Sequence, residues 1–147
     1  FSIMKKAYLR SQGFTLLELL VVISIIGILM AIGATSFSTA QKRGRDSRRM
    51  GDMKAIQKAL EQCYALDSVY PAVGTSISCS GGAVTMNQVP SNPKGIAYIY
   101  TRNAGNTAYC ACVLLENTGT GNASTTGGSG VCAWSTTGSN FCVSNQQ

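Results

Sequence analysis

From Phe14 to Ala34 the chain is one uninterrupted apolar run, in which every residue is apolar or small except Thr15, Ser24 and Glu18. As a helix, at about 1.5 Å per residue, this run spans roughly 31 Å, enough to cross the hydrocarbon core of a bilayer. After it the pattern changes without a break. Met53, Ile56, Leu60 and Cys63 recur at steps of three and four, which marks one apolar face of a helix. Ala55 and Ala59 favour helix intrinsically. No proline occurs between Phe14 and Val69, and Tyr70-Pro71 supplies a stop. The pattern predicts a single helix from Phe14 to Asp67, about 80 Å long. Residues 14–34 are apolar all round, and residues 35–67 have one apolar stripe that something must cover. Gly44 and Gly51 weaken the middle by about 1 kcal/mol each relative to alanine.

Beyond the helix the period shortens. Residues 68–95, punctuated by Gly74, Gly81, Gly82, Pro90 and Pro93, read as loop. Residues 96–102 read as a strand, Asn103 to Asn106 as a turn, and residues 107–116 as the second strand of a hairpin. Asn140 to Ser144 reads as a last strand. Residues 117–130 are Gly, Ser, Thr and Asn almost throughout, a composition that cannot bury a core, and they are expected to form an exposed loop. Residues 68–147 therefore form a small β-rich head domain with few large apolar side chains. A core of that size is marginal alone, so packing on the helix stripe and disulfide bonds are expected to supply the rest. The fold class is α+β.

Cysteine usage supports that expectation. All six cysteines (Cys63, Cys79, Cys110, Cys112, Cys132 and Cys142) lie outside the apolar run, and an even count in an exported domain reads as disulfides. A Cys63–Cys79 bridge would tie the loop to the helix end and contribute about 3 kcal/mol on the chain-entropy estimate. Cys110 and Cys112 share one face of their strand, which suits two separate partners better than each other; Cys132 and Cys142 are the expected ones. A zinc site is disfavoured, because C-x-C followed after twenty and then ten residues is not a ribbon spacing. No metal and no cofactor is expected. The chain has no histidine, and its few distal charges form no catalytic motif with a nucleophile, paired acid or phosphate loop. It does not read as an enzyme, and no small-molecule substrate is expected.

The net charge of +6 is unevenly placed. Lys5, Lys6 and Arg10 precede the apolar run, seven cations lie between Lys42 and Lys58, and after Asp67 only Lys94, Arg102 and Glu116 are charged. Lys42, Arg43, Arg45, Arg48 and Arg49 are candidates for contact with an anionic partner. DNA is one such partner, but the band lacks interleaved aromatics or a reading motif. Lipid headgroups and acidic protein surfaces suit it as well.

Glu18 carries the functional reading. An ionised group inside a span costs at least ~2–3 kcal/mol unless paired. The string Gly13-Phe14-Thr15-Leu16-Leu17-Glu18 followed by a long apolar run resembles the type III signal of the type IV pilin family, Gly-Phe-Thr-Leu-x-Glu. The resemblance implies a leader over residues 1–13, with Met4 to Gly13 a normal ten-residue length for this class. It implies cleavage between Gly13 and Phe14 by prepilin peptidase, and N-methylation of Phe14. It further implies pairing of Glu18 with the Phe14 amine of a neighbouring subunit during assembly. The implied shape is a lollipop, a long helix whose far half packs on the head. The implied partners are identical or related pilin subunits and the assembly machinery. The implied location is the cytoplasmic membrane, N-terminus inside, and then an extracellular pilus or periplasmic filament. The basic band conflicts with that orientation on charge counting alone; the processing signal and the cysteines favour it. A type II secretion or competence pseudopilin, or a minor pilin, shares these features. A monomeric membrane-tethered binding domain is the rival from another class. The segment Val89 to Gly95 resembles the loop before the sheet in pilins and pseudopilins. Asn92 stands where major pseudopilins carry an aspartate leading into a calcium site, so no calcium site is carried over.

Overall fold

The computed structural model describes residues 13–147, so all of the leader expected over residues 1–13 except Gly13 lies outside the described residues. One helix, α1, runs from Leu16 to Asp67. It begins with a reciprocal cap. Thr15 Oγ1 accepts from the Glu18 backbone N–H at 3.2 Å, and Glu18 Oε2 accepts from the Thr15 backbone N–H at 2.8 Å. It ends at Ser68, whose positive φ of 56° breaks the helix while its N–H still donates to the Tyr64 carbonyl at 2.8 Å. Two compact units divide the chain, one up to Thr39 and the other Ala40–Gln147. In the first, the apolar side chains from Phe14 to Ile32 are exposed. The segment is long and apolar enough to cross a membrane.

The second unit holds the packed core. Met53, Ile56, Leu60 and Cys63, the stripe expected from spacing, are each 2 % exposed or less. They pack with Tyr70, Ile77, Tyr109, Ala111, Val113, Leu115 and Val143. Seven strands follow the helix: β1 Ile77–Ser78, β2 Val84–Met86, β3 Ile99–Arg102, β4 Tyr109–Leu114, β5 Gly121–Gly128, β6 Val131–Gly138 and β7 Asn140–Ser144. β1 and β2 form a small antiparallel hairpin inside the region expected to be loop, closed by a turn with Gly82 at φ 87°. The other five make one sheet in the order β3-β4-β7-β5-β6, with every pairing antiparallel.

β4 is buried on both faces. Tyr109, Ala111 and Val113 join the core against α1, while Cys110 and Cys112 point the other way into a second cluster with Ala123, Cys132 and Cys142. Three disulfides are present: Cys63–Cys79 ties the β1–β2 hairpin to α1, Cys110–Cys132 links β4 to β6, and Cys112–Cys142 links register partners on β4 and β7.

Residues 117–130 differ from expectation. Instead of an exposed loop they contain β5, with Gly121 and Ala123 buried. Small side chains allow this. The β5–β6 ribbon carries register shifts that bend it, and its tip returns to the β3–β4 turn, where a Cβ on Gly130 would crowd Asn103 N and the Ala108 carbonyl. Gly121 and Gly138 face each other in register, and a Cβ on either would collide with the carbonyl of Asn140 or of Ala123. Composition excludes a large apolar core here, but it does not exclude a ribbon held by backbone pairing and sulfur bridges.

Gly121→Ala and Gly138→Ala are each expected to destabilise the chain by roughly 1–3 kcal/mol, as overpacking does. Gly44→Ala, whose Cβ meets nothing within 4 Å, should instead stabilise it by up to about 1 kcal/mol. Denaturant midpoints of the detergent-solubilised variants check the contrast.

Candidate assembly segment and basic band

Gly13, Phe14 and Thr15 precede the first helical turn and are exposed, Phe14 by 89 %. The peptide bond after Gly13 therefore lies outside regular structure, next to a helix that begins two residues later. Glu18 sits on the first turn. Its Oε2 receives both Thr15 donors, the backbone N–H and the hydroxyl, each at 2.8 Å. Its Oε1 makes no hydrogen bond among the described residues. The carboxylate thus has a local use as a helix cap that engages one of its two oxygens. Elsewhere in the segment, Ser24 returns its hydroxyl to the Leu20 carbonyl at 2.7 Å, which leaves an all-apolar outer surface.

The basic band divides into two sets. Arg45 grips Glu116 with two hydrogen bonds, Nε to Oε1 at 2.7 Å and Nη2 to Oε2 at 2.8 Å. Arg49 is fully buried; its Nη1 donates to Asp46 Oδ1 at 2.9 Å, its Nε donates to Asn92 Oδ1 at 3.0 Å, and its Nη2 lies 3.1 Å from Glu116 Oε1. Both were candidates for an anionic partner, and the structure corrects that: their charges are spent inside the chain. Lys42, Arg43 and Arg48 are exposed and in no salt bridge among the described residues. Spacing alone could not separate the two sets, because the acids that claim Arg45 and Arg49 include Glu116, about seventy residues away. The available signal was that Glu116 is the sole carboxylate after Asp67.

Asp46 completes the network. It accepts the backbone N–H groups of Glu116 and Asn117 and the Asn117 side-chain amide at 2.7–2.9 Å. Burial pushes its pKa up, but these donors and Arg49 outweigh burial and hold it below the ordinary carboxylate range. Hydrogen bonds first from Arg45 and then from Lys94, at 2.9 Å, hold the Glu116 carboxyl well down. Asn92 Oδ1 also accepts the Lys94 N–H at 3.3 Å. With Arg49 and Lys94 gathered on it, this donor set does not fit calcium. The sulfurs of Cys110, Cys112, Cys132 and Cys142 lie within 4.8 Å of one another, but they are bonded in pairs as disulfides and so are not the thiolates zinc requires.

The Prokaryotic N-terminal methylation motif matches residues 9–34, the stretch that holds Gly13, Phe14, Glu18 and the whole apolar run. The motif and the relatives that follow make the chain similar to type IV pilins and type II secretion core proteins. It is similar to the type IV major pilin protein PilA of Myxococcus xanthus, at 39 % identity over 38 % of this chain and 26 % of that protein. It is similar to the type IV narrow pilus major component PilA5 of Thermus thermophilus, at 34 % over 59 % of this chain and 64 % of that one. It is also similar to the type II secretion system core protein G of Pseudomonas aeruginosa, at 33 % over 56 % and 58 %. The chain therefore spans less than two thirds of the length of these relatives. No solved structure shows a significant match.

Asp46→Ala strands the Arg49 cation in the core and should cost about 3–5 kcal/mol in a denaturant titration. A carboxyl with a depressed folded pKa stabilises the fold above its unfolded pKa, about 4, and loses that contribution as pH falls through the folded value. The unfolding midpoint should therefore be flat near neutrality and fall as pH drops below about 4. Glu116→Gln should shrink that slope.

Proposed function

We propose that this chain is a structural subunit of a type IV pilus-like filament. In this reading prepilin peptidase cuts between Gly13 and Phe14, the new Phe14 amine is methylated, and the mature chain starts at the first residue of the apolar run. The domain plan follows: leader to residue 13, assembly helix 14–34, amphipathic continuation 35–67 and disulfide-bonded head 68–147. The chain waits in the cytoplasmic membrane with its N-terminus inside. On assembly the apolar side chains exchange lipid for the helices of related subunits. One observation carries the reading: Glu18, the single charge in the run, caps its own helix with one oxygen and keeps the other free. The cation that suits it is the Phe14 amine of an incoming subunit. An unpaired Glu18 in an apolar filament core is penalised, so the pair favours one axial register.

The similarity to a type II secretion core protein supports a second reading, a short periplasmic pseudopilus built by the same chemistry. The two differ in the filament and agree on processing.

Two variants test the role of Glu18. Glu18→Val is expected to leave processing intact and abolish filaments in the native host. Thr15→Val removes the side-chain half of the cap but leaves Glu18 in place, and should reduce helix stability by about 1 kcal/mol while filaments still form. Equal loss of filaments from both would reduce Glu18 to a cap. Intact mass without reductant should give a chain beginning at N-methylated Phe14, lighter by two hydrogens for each of the three disulfides. An intact leader would overturn the pilin route and favour a tethered binding domain.

A further inference from the structure

The exposed face of α1 in the second unit carries charges that nothing in the chain answers. Arg43, Arg48, Lys54 and Lys58 are exposed and lie outside every salt bridge among the described residues. At 3.6 residues per turn, Arg43, Lys54 and Lys58 fall within about 60° of one another and span roughly 22 Å of helix. On the helical wheel their centre lies about 130° from that of the buried stripe of Met53, Ile56 and Leu60.

The carboxylates of the same unit are all engaged, and none belongs to an exposed residue. Asp46 and Glu116 hold the arginines. Asp52 accepts the Tyr98 hydroxyl at 2.6 Å. Glu61 accepts Tyr70 and Tyr109 at 3.1–3.3 Å, together with the Gln146 N–H. Asp67 accepts the Gly81 N–H at 2.8 Å. The remaining acid, Glu18, belongs to the apolar run. A second copy would thus meet this face with a second unit of net charge +4 (nine cations less five acids) and no exposed carboxylate there, which is like-charge repulsion.

We propose that the Arg43–Lys58 face docks an acidic helix of a different subunit rather than another copy of this chain. The cations alone would suit any polyanion. The residues between them decide the class. Gly44, Ser47, Gly51 and Ala55 are exposed there. They offer no large apolar side chain to enter a bilayer and no aromatic to stack on a base, whereas they let a second helix approach closely with its carboxylates between the cations. The proposal rests on the filament reading only in calling the partner a subunit.

Zero-length carbodiimide coupling, which joins a lysine amine to a carboxylate it touches, tests this on sheared filaments and on membranes of the native host. The expected product links Lys54 or Lys58 to an Asp or Glu of a different pilin-like chain, identified by peptide mass spectrometry. In Arg43→Glu/Lys54→Glu/Lys58→Glu, with disulfides intact by mass, the link should vanish. Co-purification of that chain should fall by about tenfold, equivalent to ~1.4 kcal/mol. A link to a second copy would overturn the proposal. So would the absence of any link while the triple variant enters filaments normally. Binding of the full chain to phosphatidylglycerol vesicles or to duplex oligonucleotide, lost in the triple variant and without a carboxylate link, would overturn it in favour of a phosphate partner. If the chain is absent from filaments but the link forms in membranes, the filament reading fails and the docking surface stands.

Discussion

A fully buried arginine sets the terms for the second unit. Arg49 cannot keep its charge out of water without acceptors, and no single element supplies enough of them. Asp46 comes from its own helix, Asn92 from the loop before β3, and Glu116 from the segment after β4. Satisfying one guanidinium therefore brings three distant stretches of chain to one place. Asp46 then turns its remaining capacity to the Glu116 and Asn117 backbone, which fixes where the chain leaves β4 and heads for β5. Replacing such a cluster with apolar residues often costs nothing in stability. Its contribution here is to the geometry of the connections: it places the Gly/Ser/Thr-rich segment at the start of β5 rather than leaving it as a free loop.

Below that cluster, stabilisation passes to apolar packing and sulfur. The helix stripe covers one face of β4, and the disulfide pairs occupy the other. The sheet beyond is poor in large side chains, and its close backbone approaches at Gly121 and Gly138 exclude even a methyl group. A ribbon of this kind gains little from hydrophobic burial, so cross-links that shrink the unfolded ensemble matter more to it than to a well-filled core.

The parts of the fold legible in the sequence are those set by local periodicity. The 3–4–3 spacing of Met53, Ile56, Leu60 and Cys63 located the buried face of α1, and short apolar runs beside turn residues located β4 and the final strand. The unread parts depend on partners far away in the chain. β5 and β6 have no apolar alternation; they are strands because each pairs with the other and because β7 stands beside them. Within the basic band, Arg45 and Arg48 are equivalent by sequence and differ only because Glu116 meets one of them. For the candidate site, the Gly13–Glu18 string was readable as a motif, while the use of Glu18 as a cap by its neighbour Thr15 shows in atomic geometry.

The strand order carries a consequence for synthesis. β7, Asn140–Ser144, is the last strand to be made, yet it lies between β4 and β5 in the middle of the sheet. Until those residues emerge, β4 has an open edge and Cys112 has no partner. The apolar run, by contrast, is complete about a hundred residues earlier, at Ala34. Vectorial emergence thus separates two events in time: the segment that can enter a membrane is finished first, and the domain outside it can close only at the end. A chain interrupted between Cys112 and Asn140 has a complete apolar run and an unclosed sheet with Cys112 lacking its partner, a species that quality control can recognise by its chemistry.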